Sequence, residues 1–502
     1  MTALPRPEPG PPPLRALPGK GASERGHVAR ASAWTVGSMV LMSALRLVSQ
    51  MALSYLVLPE HFGAVTLMRT FLTLVEMLSD VGIRNAVIYH PQGEERRFLA
   101  TTKSVQLVRG VCMWLTACAL AWPAAAFYDE PLLLWLLPIA GLESVNNGLL
   151  AVRVYVEERR LRIAVPAILD VLALAVSIVT SVVWAAFQPG PWALAAGPLV
   201  GGFVRAIVSH VYYRAHAVPF GWDRQHAHEL FTFGRWVFGG TLVTFVAQQF
   251  HMLYLPKFTM LALFGVYSVV WNFCAQASKP MTALANRVII PRFAEDGRRS
   301  AADHERAVQT SLAHFLPACM LVCVGAGLIA PALFGLLYSD SFAAGGPMGI
   351  LFAITVWFMI LQQVPRSALL SLGASREVAA MALWNAGFTV LGIVAGWHFG
   401  QFGGAILGNG LGNVAGCVAG WWAMRKRGLH VGTGMTRYSL GFLAILELGA
   451  GAIWLGEHSG VLSAAWTSVV VTCLACAPLA VWVWRGTIAP LRRARGGGGG
   501  GR

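Results

Sequence analysis

The sequence predicts an all-α polytopic membrane protein of about 14 transmembrane helices, arranged as two pseudo-repeated six-helix lobes followed by a C-terminal helix pair. Three observations carry this. The 502 residues are 56% hydrophobic and 12% charged, with a mean hydropathy of +0.60, far from the balance of a soluble domain. Loop cations fall almost wholly on one side of the apolar runs. One helical motif also occurs twice, once in each half of the chain.

The basic balance, net +15, would suit nucleic acid only if its lysines and arginines shared one soluble face. They sit instead in short loops between apolar runs. Of the 38 lysines and arginines, those in loops follow the side of the N-terminus, from the arm before residue 30 to Arg492, Arg493 and Arg495 in the tail. The opposite side holds Lys257. Arg46, Arg69, Arg109, Arg205 and Arg235 lie within spans or at their ends. By the positive-inside rule both termini are expected in the cytoplasm. All eight cysteines fall in apolar segments, so no exported disulfide is expected; Cys473 and Cys476 have redox spacing but no His or charge nearby, and read as packing residues.

In chain order, residues 1–30 read as a disordered cytoplasmic arm, rich in proline and without an apolar run. Residues 31–216 form the N-lobe, with spans near 34–58, 62–84, 103–122, 132–153, 163–187 and 192–214. A cytoplasmic linker, 217–232, leads to the C-lobe, 233–427, with spans near 234–255, 260–285, 310–337, 346–371, 378–398 and 404–424. Residues 428–486 supply spans 438–456 and 462–484, and 487–502 form a flexible, basic and glycine-rich tail. The repeat aligns Phe62-Gly63 through Phe71 with Phe264-Gly265 through Phe273, a shift of 202 residues, each copy following a Leu-Pro corner. Spans 1–6 therefore correspond to spans 7–12.

The second span is unusual for a lipid-facing helix. Arg69, Thr73, Glu76 and Asp80 recur at spacings of 4, 3 and 4, so they share one stripe. A charge at the bilayer centre costs about 2.5–3.5 kcal/mol on insertion scales, so this stripe must face protein or water. At about 1.5 Å of rise per residue, Arg46 and Arg69 lie about 18 and 22 Å from the cytoplasmic end, and Glu76, Arg109, Glu143 and Asp170 about 9–15 Å from it. Two mid-membrane arginines repel each other unless an anion visits them.

The corner Leu58-Pro59-Glu60-His61-Phe62-Gly63, the apolar helix after it, and Asp80-x-Gly82 resemble the second-helix region of bacterial polysaccharide flippases. These are the O-antigen and exopolysaccharide members of the multidrug/oligosaccharidyl-lipid/polysaccharide exporter superfamily. The resemblance implies two six-helix lobes plus an extra pair, a cationic central cavity, and no covalent chemistry. It implies translocation of a polyprenyl-pyrophosphate-linked oligosaccharide across the bacterial inner membrane by alternating access, with a polysaccharide polymerase and export machinery as partners.

On the residues themselves, guanidinium groups bind phosphate through paired charge-assisted hydrogen bonds. Arg46 and Arg69 are therefore expected to receive the pyrophosphate, with Arg109, Lys279 and Arg366 guiding it. For Arg46, Arg69, Arg109 and Arg205 the competing reading is an ion pair that holds helices together, for example Arg109 with Glu76 or Asp170; for Lys279, Arg235 and Arg366 it is snorkelling to the surface. Asn272 and Gln276 share a face of span 8 with Lys279 and are expected to hydrogen-bond sugar hydroxyls. For these two amides, as for Gln248, Gln249, Asn409 and Asn413, the competing and commoner role is bridging helices. Trp271 and Trp384 are candidates for stacking on sugar faces. Glu76, Asp80, Glu143 and Asp170 are the candidates for coupling to a proton or sodium ion. Span 7 carries Gln248, Gln249 and Phe250 where related transporters place an acid, so coupling is not expected there. No catalytic residue, metal site or other cofactor is expected. Two alternatives are a multidrug exporter, which would want an anionic cavity, and a membrane-embedded polymerase or ligase, which would want a large basic outer loop. The outer connections here are short and nearly free of cations.

Overall fold

A computed structural model describes residues 22–79, 82–284, 301–427, 432–459 and 463–483. Among these residues there are helices and turns and no strand. The N-lobe comprises α1 (Ala22–Leu56), α2 (Pro59–Leu78), α3 (Ile83–Tyr89), α4 (Arg96–Tyr128), α5 (Leu133–Gly148), α6 (Arg153–Arg159), α7 (Ala164–Phe187) and α8 (Pro191–Tyr212). The C-lobe comprises α9 (Arg224–Phe258), α10 (Leu261–Leu284), α11 (Ala301–Leu336), α12 (Gly345–Leu361), α13 (Gln363–Ser371) and α14 (Ser375–Lys426). After it come α15 (Gly432–Ser459) and α16 (Ala464–Val483).

Local chemistry sets the helix ends. Leu58 is extended and Pro59 opens α2, the position where a missing N–H costs nothing. Gly82 takes φ 65° before α3, so the second span is two helices, not one continuous rod over 62–84. The fourth span likewise breaks: α5 stops at Gly148, and α6 leaves at 60°. Two expected boundaries move. Helix α1 begins at Ala22, inside the stretch expected to be disordered, and α9 begins at Arg224, inside the expected linker. There Asp223 caps α9 by accepting from the amides of Gln225 at 2.8 Å and His226 at 3.3 Å. Residues 1–21, Asp80 and the tail from residue 484 lie outside the described residues.

By length and apolarity, nine described helices can cross a membrane, or eleven if each bent pair is one span. Against the fourteen expected, α14 counts once although it is two arms, and the apolar part of α10 is short, Leu261–Gln276. The arms of α14 meet at Gly400 and Gln401, where φ reaches 46°. Glycine makes their antiparallel packing close: a Cβ on Gly392 or Gly396 would strike the carbonyl of Gly408 or Gly404, and the reverse holds for each. This is the small-residue spacing of membrane helix pairs. Deeper along the same seam, Asn385 donates to Gln362 at 2.9 Å and to Asn413 at 3.2 Å.

Much of the apolar surface faces outward. The α7 span has a mean hydropathy of 2.2, yet only 17% of it is buried. Phe187 and Leu448 are 87% and 75% exposed. Lipid is the solvent that suits such a surface. The buried core runs through both lobes and continues into the C-terminal pair. There Trp357 donates to Ser439 at 3.1 Å, Ser468 donates to the Leu328 carbonyl, and Gly449 admits the Leu328 side chain.

Candidate functional site

The site is built where the lobes meet. Helices α2 and α10, the two copies of the repeat, cross each other. Thr66 donates to Ser268 at 2.9 Å. A Cβ on Gly63 would strike the Leu261 carbonyl, and one on Gly265 would strike the Pro59 carbonyl. Each of these pairings links equivalent or exchanged positions of the repeat, so the crossing is a local two-fold. Glycine is required at both places because backbone approaches backbone.

Two latches flank the crossing at the end where Pro59 lies. In one, the end of α1 meets the end of α11: Ser339 donates through its amide to the Ser54 hydroxyl at 3.3 Å and through its own hydroxyl to the Ser54 carbonyl at 2.7 Å. Tyr55 adds a bond to the Tyr338 carbonyl at 3.4 Å, and Phe62 meets Phe342 edge-on at 5.4 Å. In the other, the end of α9 meets the end of α4. Lys257 reaches the Phe127 carbonyl at 2.5 Å and Asp129 at 3.0 Å, and Tyr128 donates to the Leu253 carbonyl at 2.7 Å. This end of the molecule is closed.

Beyond the crossing an open cavity of about 680 Å³ separates the lobes. Thr66 and Ser268 lie at its head. Arg46 comes from α1, Arg69 from α2, Glu143 from α5, Asp170 from α7, Arg205 from α8, and Asn272, Gln276 and Lys279 from α10. Seven of the expected residues therefore share one chamber: Arg46, Arg69, Lys279, Asn272, Gln276, Glu143 and Asp170. Neither Arg46 nor Arg69 has a carboxylate within ion-pair distance among the described residues. The C-lobe contributes amides and one lysine, the N-lobe most of the charge. The cavity's four cations outnumber its two carboxylates, so its field favours an anion.

Two expected ligands are placed elsewhere. Arg366 is exposed on α13 and does not line the cavity. Arg109 turns into a second, smaller pocket of about 290 Å³ inside the N-lobe, where it bonds the Glu76 carbonyl at 3.3 Å and the Ser79 hydroxyl at 3.4 Å. Glu76 lines that pocket too, with Arg84 held by Glu158 at 2.6 Å. The aromatic candidates are also displaced. Trp271 packs on His251 and Phe352, and Trp384 stacks on Phe388 at an exposed face. Neither lines the cavity.

The sequence reading placed Arg205 within a span, with a helix-holding ion pair as one of its readings, but did not name its partner or count it among the ligands. Arg205 pairs with Asp170 at 2.6 Å, and both residues line both pockets. A signal was present: α7 and α8 are joined by a tight turn at 188–190, and counting back and forward from it puts the two charges at similar depth.

The profile of the family described as "Polysaccharide biosynthesis protein" matches residues 52–343, more than half of the chain and all of the residues that line the cavity except those of α1 before it. The chain belongs to this family. The succinoglycan biosynthesis transport protein ExoT of Rhizobium meliloti (strain 1021) is 26% identical over 314 residues, 62% of this chain and 60% of that protein. The amylovoran biosynthesis protein AmsL of Erwinia amylovora is 22% identical over 277 residues, 54% of this chain and 71% of that one. The match thus spans less than two thirds of the length of the first relative.

Among solved structures, the lipid II flippase MurJ in an inward closed conformation superposes with a TM-score of 0.69 over 92% of this chain and all of that one, at 12% identity. An inward-facing multidrug resistance MATE family transporter of the MOP superfamily gives 0.59, covering 77% and 94%, at 16% identity. At such identities the likeness is one of fold. This member of the polysaccharide biosynthesis family is a multi-pass membrane protein with the two-lobed fold shared by MurJ and MATE transporters.

Proposed function

We propose that the protein is a flippase that carries a polyprenyl-pyrophosphate-linked oligosaccharide from the cytoplasmic to the outer face of a bacterial inner membrane. One observation carries the reading: Arg46 and Arg69, from the first two helices of one lobe and without carboxylate partners among the described residues, face a single cavity that is shut at one end. A diphosphate is the anion whose geometry suits two guanidinium groups. Amides at Asn272 and Gln276 and hydroxyls at Ser177 and Ser181 line the same space and suit sugar hydroxyls. The polyprenyl chain stays in lipid, and rocking of the lobes about the α2–α10 crossing exposes the headgroup to the other side. With both termini in the cytoplasm, the shut end faces outward. Glu76, Glu143 and Asp170 are the carboxylates through which a proton or sodium gradient would drive the cycle. A polysaccharide polymerase and the export machinery are the partners this role requires. A multidrug exporter of organic cations fits poorly, since the cavity is cationic.

The test is complementation of a strain that lacks its own polysaccharide flippase, with membrane levels matched by immunoblot. Wild type should restore surface polysaccharide, and Arg46→Ala and Arg69→Ala should each lower it about tenfold or more, the loss of one charge-assisted phosphate contact. Full activity of both variants would refute the cavity as the diphosphate site. Failure of wild type in its native background, without lipid-linked precursor accumulating, would refute translocation.

A further inference from the structure

The Asp170–Arg205 pair stands between the two pockets. The 2.6 Å contact joins the Arg205 terminal nitrogen to one carboxylate oxygen, while the Arg205 Nε is buried with no hydrogen-bond partner. Asp170 is 41% exposed and Arg205 25%, so both are accessible from the open cavity they line. A guanidinium held by one oxygen, with a second donor idle, is under-used as an ion pair. Two diphosphate oxygens would satisfy it better.

We propose that Arg205 is a third ligand for the diphosphate, withheld by Asp170 until Asp170 takes a proton. The proposal rests on the flippase reading above and adds to that site a proton linked to anion binding. In the empty state Asp170 and Arg205 neutralise each other. When the diphosphate reaches Arg46 and Arg69, it competes for Arg205. The carboxylate it displaces is left beside a dianion in a partly desolvated cavity, and repulsion makes it take up a proton from water. Anion binding and proton binding are then mutually favourable, each strengthening the other by the same factor. The smaller pocket offers the proton its route, since Asp170 borders it as well as the central cavity.

The neighbouring charges leave Asp170 as the group that must respond. In the cavity, Arg46, Arg69 and Lys279 are cations, and Glu143 is the other carboxylate. In the smaller pocket, Arg84 is taken up by Glu158, and Arg109 bonds the α2 backbone, with Glu76 and Tyr155 beside them. None of these carboxylates holds Arg205; Asp170 does.

The experiment is calorimetric titration of the purified full-length protein in lipid nanodiscs with a short-chain isoprenyl diphosphoryl hexose. That diphosphate diester does not itself titrate near neutral pH. Heats in two buffers of different ionisation enthalpy count the protons taken up. Wild type should take up a proton on binding and bind more tightly as pH falls. Asp170→Asn should bind about tenfold more tightly than wild type at pH 8, with no linked proton. Arg205→Ala should bind about tenfold more weakly than Asp170→Asn, because it lacks the third ligand. A purely structural pair predicts otherwise: weaker binding or unfolding in both variants and an unchanged proton count in whichever folds, which would overturn the proposal. Wild type that binds the probe and loses it in Arg46→Ala, but shows the same proton uptake with and without Asp170, refutes the switch alone. No binding by wild type refutes the flippase reading and the switch with it.

Discussion

Thr66 hydrogen-bonds Ser268 across the lobe interface at 2.9 Å, and the two residues are 202 positions apart, the offset of the sequence repeat itself. Equivalent residues of two repeats can touch in this way only on the local two-fold axis. The backbone contacts of Gly63 with Leu261 and of Gly265 with Pro59 repeat the relation on either side. The contact between the two copies of the repeat is therefore a symmetric crossing, kept narrow by two glycines and polar by two hydroxyls.

Gly265→Ala should separate α2 from α10, because the new methyl group meets the Pro59 backbone and not a movable side chain. Overpacking of this kind costs about 1–3 kcal/mol. Gly240→Ala, within α9, is the control: nothing lies within 4 Å of its Cβ, so the gain in helix propensity should stabilise by about 0.5–1 kcal/mol. Thermal unfolding in detergent should move in opposite directions for the two; equal shifts would mean the crossing does not matter to stability.

A cysteine at each of positions 54 and 339 tests the latch between α1 and α11. Ser339 donates two hydrogen bonds to Ser54, so a disulfide there should form readily and hold the shut end closed. The native cysteines, of which Cys112 and Cys473 are exposed, are replaced first. Oxidation should abolish transport and reductant restore it. Continued transport by the oxidised protein would show that this end need not open.

Lys257 and Asp129 form the charged part of the other latch, and Asp129 is 82% exposed. An exposed pair of this kind contributes no more than about 1 kcal/mol. Asp129→Asn keeps a residue that tolerates the left-handed backbone at φ 56° and removes only the charge. It should leave the fold intact and shift the balance between closed and open ends by at most about fivefold. The shift should be larger at low salt, and lobe-to-lobe spectroscopic distances are the readout.

Near α6, Glu94 accepts from Arg160 at 2.5 and 3.1 Å, and this hydrogen-bonded pairing holds its carboxyl below the usual carboxylate range. A carboxyl depressed on folding stabilises above its unfolded value and loses that contribution as pH falls through the folded one. Because both side chains are partly exposed, the effect should stay under about 1 kcal/mol. Unfolding temperatures of wild type and Glu94→Gln should therefore differ at neutral pH and converge below about pH 4. A difference that survives acid would assign the effect to packing.

Much of this was legible in one dimension. Hydropathy marked the apolar segments because burial in lipid requires long runs of apolar residues, whatever their partners. The Leu-Pro corners and the two Phe-Gly motifs exposed the repeat, and the spacing of Arg69 and Glu76 showed that α2 has a polar face. The sequence also pointed to Arg46 and Arg69 as unshielded central cations, because an arginine has few other reasons to be there. Glycines 392, 396, 404 and 408 were present but unread; their role appears only when the chain turns back at Gly400.

What the sequence determined, then, is the class of fold, its internal repeat and the pair of central arginines, all properties set by local composition and period. What only the tertiary structure decided is which charges meet. Arg109 faces the inner pocket, and Arg205 is held by Asp170, because the rotation of each helix about its axis and the breaks at Gly82 and after Gly148 are fixed by packing against neighbours. A helical stripe tells which residues share a face; only the neighbouring helices determine what that face meets.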